Sequence, residues 1–249
     1  MTRDPEVDAL RQRRITNAAA ALFAAHGFDA VTVDQIAAAA PCSKRTLYAR
    51  FASKEAIRLA IVAEEFDQFA EFAAAAAAKE QGARQTGDEI LGWLAERHRA
   101  EPYRAGAALA FSLEPGDADL LDARGAGGRA GDERRALLAR IIAAGDTLEA
   151  AVAELIARGQ RDGTLRPELD AAVTGMALWA SISALVQMAA SKSVYVESRY
   201  GLGQDQFLAA GMDLIWNGLG ARPDPAANDP KPARRSRPET EEARQWPAS

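Results

Sequence analysis

Apolar residues recur at helical spacing along most of the chain, beginning with Ile15, Ala18, Ala19, Leu22 and Phe23 at i, i+3, i+4, i+7 and i+8. His26-Gly27 then supplies a helix end. A second start follows at once, because Thr32 with Gln35 three residues on fits a capping box and Val33, Ile36, Ala37 and Ala40 form the next stripe. Pro41 must stop that helix, since the residue before a proline is pushed out of the α region. Ser43 offers a cap for a third, very short helix over residues 44–50, and Ser53 caps a fourth. The pattern predicts three short helices within about fifty residues, followed by a long one.

That long helix runs from Lys54 through Ile57, Ile61, Phe66, Phe69 and Phe72 into the alanine run Ala73 to Ala78. Further helices are expected over residues 88–100, 103–113 and 133–144, with a flexible break at 125–131, where four of seven residues are glycine. Asp146 starts another helix, with Leu148, Val152, Leu155 and Ile156 inward, ending near Gly163. After Pro167, Asp170 can cap the stretch Ala171 to Ala190, which carries no charge. Length alone permits a membrane span. The alanine content and Thr174, Gly175, Ser181, Ser183 and Gln187 favour a buried helix or a subunit interface instead. A last helix places Phe207, Ala210, Gly211, Leu214 and Ile215 at helical spacing, and residues 221–249, with six of the eleven prolines, read as a disordered tail.

Composition agrees with an all-α chain. There are 58 alanines against 28 Val, Ile and Thr together, a balance that suits helices over pleated sheets. The single cysteine, Cys42, excludes an internal disulfide and is too little for a structural zinc site. The opening run MTRDPEVDALRQRR has no apolar core ahead of a cleavage site, so a cytoplasmic protein is expected. Net charge is −5, but residues 1–54 carry eight basic and five acidic side chains, so a basic head sits on an acidic body. The division expected is residues 1–54 as a polyanion-binding head, 55–220 as a helical body and 221–249 as tail.

Residues 32–51 have the layout of a helix-turn-helix, with Leu47 and Phe51 tucked inward and Lys44, Arg45, Thr46 and Tyr48 outward. Those outward types suit a major groove: Lys44 or Arg45 can donate to guanine O6 and N7, and the Thr46 methyl can meet a thymine methyl. Ser43, Tyr48 and Lys54 can bond phosphate oxygens, and Thr32 presents a helix start to the same backbone. Arg11, Arg13 and Arg14 serve equally as phosphate contacts or as a solvated helix start. Cys42 reads as a structural thiol rather than an oxidant sensor.

The segments Phe23-Ala24-Ala25-His26-Gly27-Phe28, Val33-Asp34-Gln35-Ile36-Ala37 and Ser43-Lys44-Arg45-Thr46-Leu47-Tyr48-Ala49-Arg50-Phe51-Ala52-Ser53-Lys54-Glu55 resemble the DNA-binding head of the TetR family of bacterial transcriptional regulators. The resemblance spans residues 15–61 and implies an all-helical homodimer whose last two long helices pair with those of the partner. It also implies phosphate contacts from Tyr48 and Lys54, and Pro41 departs from it where such regulators carry glycine in the turn. The function expected is a ligand-responsive regulator, most simply a repressor, that reads a pseudo-palindromic operator in double-stranded DNA and is released by a small hydrophobic molecule. Phe66, Trp93, Tyr103, Phe111, Met176 and Trp179 are the expected pocket lining. No cofactor, metal or catalysis is expected: two histidines, one cysteine and no HExxH, CxxC, GxSxG or Walker pattern leave nothing to anchor a reaction. The competing class is a helical interaction module or adaptor, in which Lys44, Arg45 and Tyr48 would be covered by protein.

Overall fold

The computed structural model describes residues 5–122 and 128–221, and the expected tail at 222–249 and the glycines at 125 and 127 lie outside the described residues. Among those described, eleven helices and no strand are found. They are α1 (Pro5–His26), α2 (Val33–Ala39), α3 (Lys44–Arg50), α4 (Lys54–Ala77), α5 (Ala83–Ala100), α6 (Pro102–Leu109), α7 (Asp117–Asp122), α8 (Gly128–Arg161), α9 (Ala171–Ser191), α10 (Ser193–Tyr200) and α11 (Gln204–Leu219).

The first three helices and the start of α4 close on one core. Ile15, Ala19 and Phe23 of α1, Ile36 of α2, Leu47 of α3, Phe51, and Ile57 and Ile61 of α4 are all buried there. Each of the larger ones contributes about 1.5–3 kcal/mol by leaving water. α1 begins well before Ile15, its first expected apolar contact, with its proline seated in the first turn, where no backbone donor is missed. Gly27, at φ 80°, ends it by taking the left-handed conformation a side chain would resist.

α4 and α8 share the most extensive interface between any two elements. Arg140 of α8 pairs with Asp67 of α4. Arg158 donates to the carbonyls of Ala77, Lys79 and Gln81, closing the carboxyl end of α4 (2.5–2.8 Å). The two helices expected over 133–144 and from Asp146 are one: α8 passes through Gly145-Asp146 without a break. The local cost of glycine there, about 1 kcal/mol, is offset because Leu138, Ile141, Ala144, Ala151 and Leu155 keep one buried face on both sides of it. Gly128 and Gly131, counted in the expected break, lie in the first turn of this helix.

The sequence pattern does not predict α7 or α10. Both are short, and α7 takes its start from tertiary contacts: Asp117 accepts the Glu114 N–H (2.8 Å) and two bonds from Arg134 (2.7 and 2.9 Å). That same Arg134 pairing holds the Asp117 carboxyl below its ordinary range.

The uncharged stretch forms α9, packed against α5, α8 and α11. It is long and apolar enough to cross a membrane, with a mean hydropathy of 1.5, yet only a minority of that stretch is buried. Thr174, Ser183, Val186 and Ala189 face inward, while Val173, Met176 and Met188 are exposed. α11 is two-sided in the same way. Its inward residues are Leu208, Met212 and Trp216, whereas Ala210 and Leu214, part of the helically spaced set, face out.

Ion pairs from Arg84 to Asp213 and from Arg99 to Asp205 join α5 to α11, and a close contact at Gly87 sets their separation. A Cβ at Gly87 would sit 2.2 Å from the Trp216 ring. That ring is itself held by its indole N–H donating to Asp88 (2.8 Å). Gly87→Ala should therefore lower stability by about 1–3 kcal/mol, read as a fall in thermal midpoint, and an unchanged midpoint would show that the ring has room to move.

Candidate nucleic-acid interface and ligand cavity

The helix-turn-helix is assembled by caps its own sequence encodes. The Thr32 N–H donates to Gln35 Oε1 (2.8 Å) and the Gln35 N–H to Thr32 Oγ1 (3.3 Å), so both arms of the box close. At the head of α3, the Thr46 N–H donates to Ser43 Oγ (3.1 Å), and the two hydroxyls lie 2.8 Å apart. Burial of Leu47 then points Lys44, Arg45 and Tyr48 away from the core, and all three are exposed.

The turn departs from the ordinary one at Pro41. The Ala40 N–H reaches the Ile36 carbonyl (2.9 Å) and the Cys42 N–H the Ala37 carbonyl (3.1 Å), the outer bond of a Schellman closure. Pro41 occupies the position where glycine normally sits, at φ 20°, far from the ring's preferred −65° or so. Having no N–H, it cannot make the inner bond of that closure. Cys42 packs on the head core, and burial pushes its thiol up, away from the reactive thiolate.

The charged side chains divide by what they touch. Arg45 has no ion-pair partner among the described residues. Lys44 Nζ lies 2.6 Å from Asp34 Oδ2, an exposed pair worth about 0–1 kcal/mol and easily given up to a base or phosphate. Arg50 instead ties α3 to α1 through Asp8 (2.5 Å). Ala52, just past α3, donates its N–H to Glu133 of α8 (2.7 Å), a tie between body and reading head that no local pattern announces.

Lys54 is placed differently from the expectation. Its Nζ donates to the carbonyls of Phe28 (2.8 Å) and Val31 (3.0 Å) and lies 4.3 Å from the centre of the Phe28 ring. Lys54 thus clamps the α1–α2 turn.

A small cavity lies between α4, α5, α6 and α9. It is about 20 Å³ in the space open to a water-sized sphere, room for one water molecule. Of the expected lining, Phe66, Trp93 and Trp179 are there, joined by Glu65, Phe69 and Arg97. Phe111 touches the Phe66 ring from outside (centroids 6.0 Å apart). Tyr103 lies against Phe23 of the head instead (5.4 Å), and Met176, 72% exposed, does not line the cavity. Composition could not distinguish the two faces of an uncharged helix.

The polar side of the cavity continues into the head. Arg97 holds Glu65 by two bonds (2.9 and 2.5 Å). Arg104, 5% exposed, pairs with Glu64 (3.1 Å), lies 3.8 Å from Glu65 and donates to Asn17 of α1 (2.6 Å). Thr16 of α1 donates to Glu64 as well (3.0 Å).

An exposed, capped α3 projecting from a three-helix head, on an all-helical body, defines a helix-turn-helix DNA-binding regulator. Residues 15–61 match the family described as bacterial regulatory proteins, tetR family. No curated protein sequence matches it. Among solved structures it is similar to PfmR, a TetR family transcriptional regulator from Thermus thermophilus, at 22% identity over 83% of this chain and 98% of that one, TM-score 0.58. It is also similar to the fatty acid degradation regulator FadR from Bacillus halodurans, at 17% identity over 83% and 98%, TM-score 0.57. A regulator from Saccharomonospora viridis in complex with choline is 20% identical over 86% and 100%, TM-score 0.57.

Replacing Lys54 by Ala should lower the thermal midpoint, by the equivalent of about 1–3 kcal/mol for the lost charge-assisted bonds. If the midpoint holds and only the salt dependence of DNA binding falls, by about one phosphate contact, the clamp is not its main role.

Proposed function

We propose that this chain is a ligand-responsive repressor that binds a pseudo-palindromic operator as a homodimer in the cytoplasm and is released by a small, largely apolar molecule. The observation that carries the reading is the amino end of α3, where Lys44, Arg45 and Tyr48 stand exposed on a helix anchored by Leu47. Arg45 reads a base edge, and Ser43, Thr46 and Tyr48 set the register on the backbone. Thr32 brings the start of α2 to a neighbouring phosphate.

Dimerisation is supported by the outward apolar residues of α9 and α11. Val173 (70% exposed), Met176, Met188 and Leu214 are large side chains with no cover in one protomer, on two adjacent helices. A second copy of the same face buries them and sets two α3 helices about 34–36 Å apart or a multiple of a helical turn. The division into head and body falls within α4, which serves both cores.

Ligand response is supported by the cavity's continuity with the head through Glu65, Arg104 and Asn17. A ligand can release DNA only by preferring the separated arrangement of heads by a few kcal/mol. Its seat is closed in this conformation, so binding must part Phe69, Trp93 and Trp179.

The experiment is selection of duplexes from a random pool, followed by affinity measurements with Arg45→Ala. Two-fold related half-sites should emerge, and Arg45→Ala should relax preference at one position per half-site by about 1–3 kcal/mol. Uniform weakening of all sequences would contradict the base-reading role, and no enrichment at low salt would contradict the regulator itself.

A further inference from the structure

Resting on the ligand-responsive reading above, we infer that the ligand is an organic cation, seated on the Glu65 carboxylate among Phe66, Phe69, Trp93 and Trp179, and that the Arg97 guanidinium is the group it displaces. The cavity pairs a wall of aromatic rings with one buried carboxylate, Glu65, 3% exposed. Ring faces are negative and attract a cation most strongly when water is excluded, and weakly hydrated ammonium groups lose least on entering.

Charge decides between a cationic and an anionic ligand. Beside the cavity two carboxylates, Glu64 and Glu65, meet two guanidiniums, Arg97 and Arg104, so the inner cluster is neutral. An anion taking Arg97 would give the cluster a net negative charge and leave Glu65 with Arg104 alone, 3.8 Å away. A cation taking the place of Arg97 leaves the charge of the cluster unchanged. Arg97 is also the guanidinium free to leave: its side chain is 23% exposed against 6% for Arg104, so its charge can pass into solvent on a flexible stem.

Vacating the guanidinium also supplies room. Phe69 is now stacked between Trp93 and Trp179, with centroids 5.7 Å away on each side, which leaves space for a single water. Arg97 thus occupies the seat as the protein's own cation. The exchange is felt beyond the cavity because Arg104, shared between Glu65 and Glu64, is the residue that grips Asn17 of α1.

The test uses the purified full-length protein without DNA and three probes of similar size: benzyltrimethylammonium, phenylacetate and benzyl alcohol. Binding is followed by tryptophan fluorescence and calorimetry. Benzyltrimethylammonium should bind at least about tenfold more tightly than either other probe. Arg97→Ala, which removes the resident competitor, should tighten it by about tenfold, and Glu65→Gln should abolish the preference. Equal or better binding of phenylacetate or benzyl alcohol overturns the inference, as does unchanged or weaker cation binding in Arg97→Ala. If Glu65→Gln does not fold, the Arg97→Ala arm decides alone. A protein that binds its selected duplex but not the cation sinks this inference and leaves the regulator standing. One that binds the cation but no duplex sinks the regulator and leaves the site.

Discussion

One helix belongs to two cores. α4, 24 residues and about 36 Å long, gives Ile57 and Ile61 to the core of the reading head and, within the next two turns, Glu64, Glu65, Phe66 and Phe69 to the cavity and its ion pairs. Ser53 fixes its start, Arg158 its end, and α8 runs along its side. Packed interiors shift between discrete arrangements rather than deforming smoothly, so a rotation of α4 imposed at the cavity must appear in the head. The whole regulatory proposal depends on this continuity.

The buried charges give the proposed coupling its route. Taking Glu65 and Arg104 out of water costs several kcal/mol per ion, and the geometry recovers this only while each keeps its partners. Removing one partner of such a pair costs about 3–5 kcal/mol, so the cluster re-pairs as a unit rather than losing one member. Its outermost bonds reach Thr16 and Asn17 of α1. A second tie, from Glu133 to the backbone at Ala52, meets the head at the exit of α3. The head is thereby gripped at its first helix and behind its reading helix.

What is legible in the sequence is what local chemistry determines. Thr32 with Gln35, Ser43 and Ser53 are caps whose partners lie three residues away, and they set α2, α3 and α4 as read. The aromatic residues Phe66, Trp93 and Trp179 declare an apolar interior. What stays hidden depends on distant partners or on which of two similar faces turns inward. The bonds from Lys54 to the carbonyls of Phe28 and Val31 span more than twenty residues and leave no local mark. Glu65 and Arg97 look like solvated charges because their pairing joins residues 32 apart. Met176 looks inward by type, but on a helix without charges the packing of neighbours, not composition, selects the face. Gly145 reads as a break that the unbroken inward stripe of α8 overrides.

Native-state hydrogen exchange along α4 tests the claim of one continuous element most directly. Amides from Ile57 to Phe69 should open together, with a single free energy close to that of global unfolding. A step in protection between Ile61 and Glu65, with the head end opening on its own, would contradict it, since a helix that breaks there cannot carry a movement from the cavity to the DNA-reading surface.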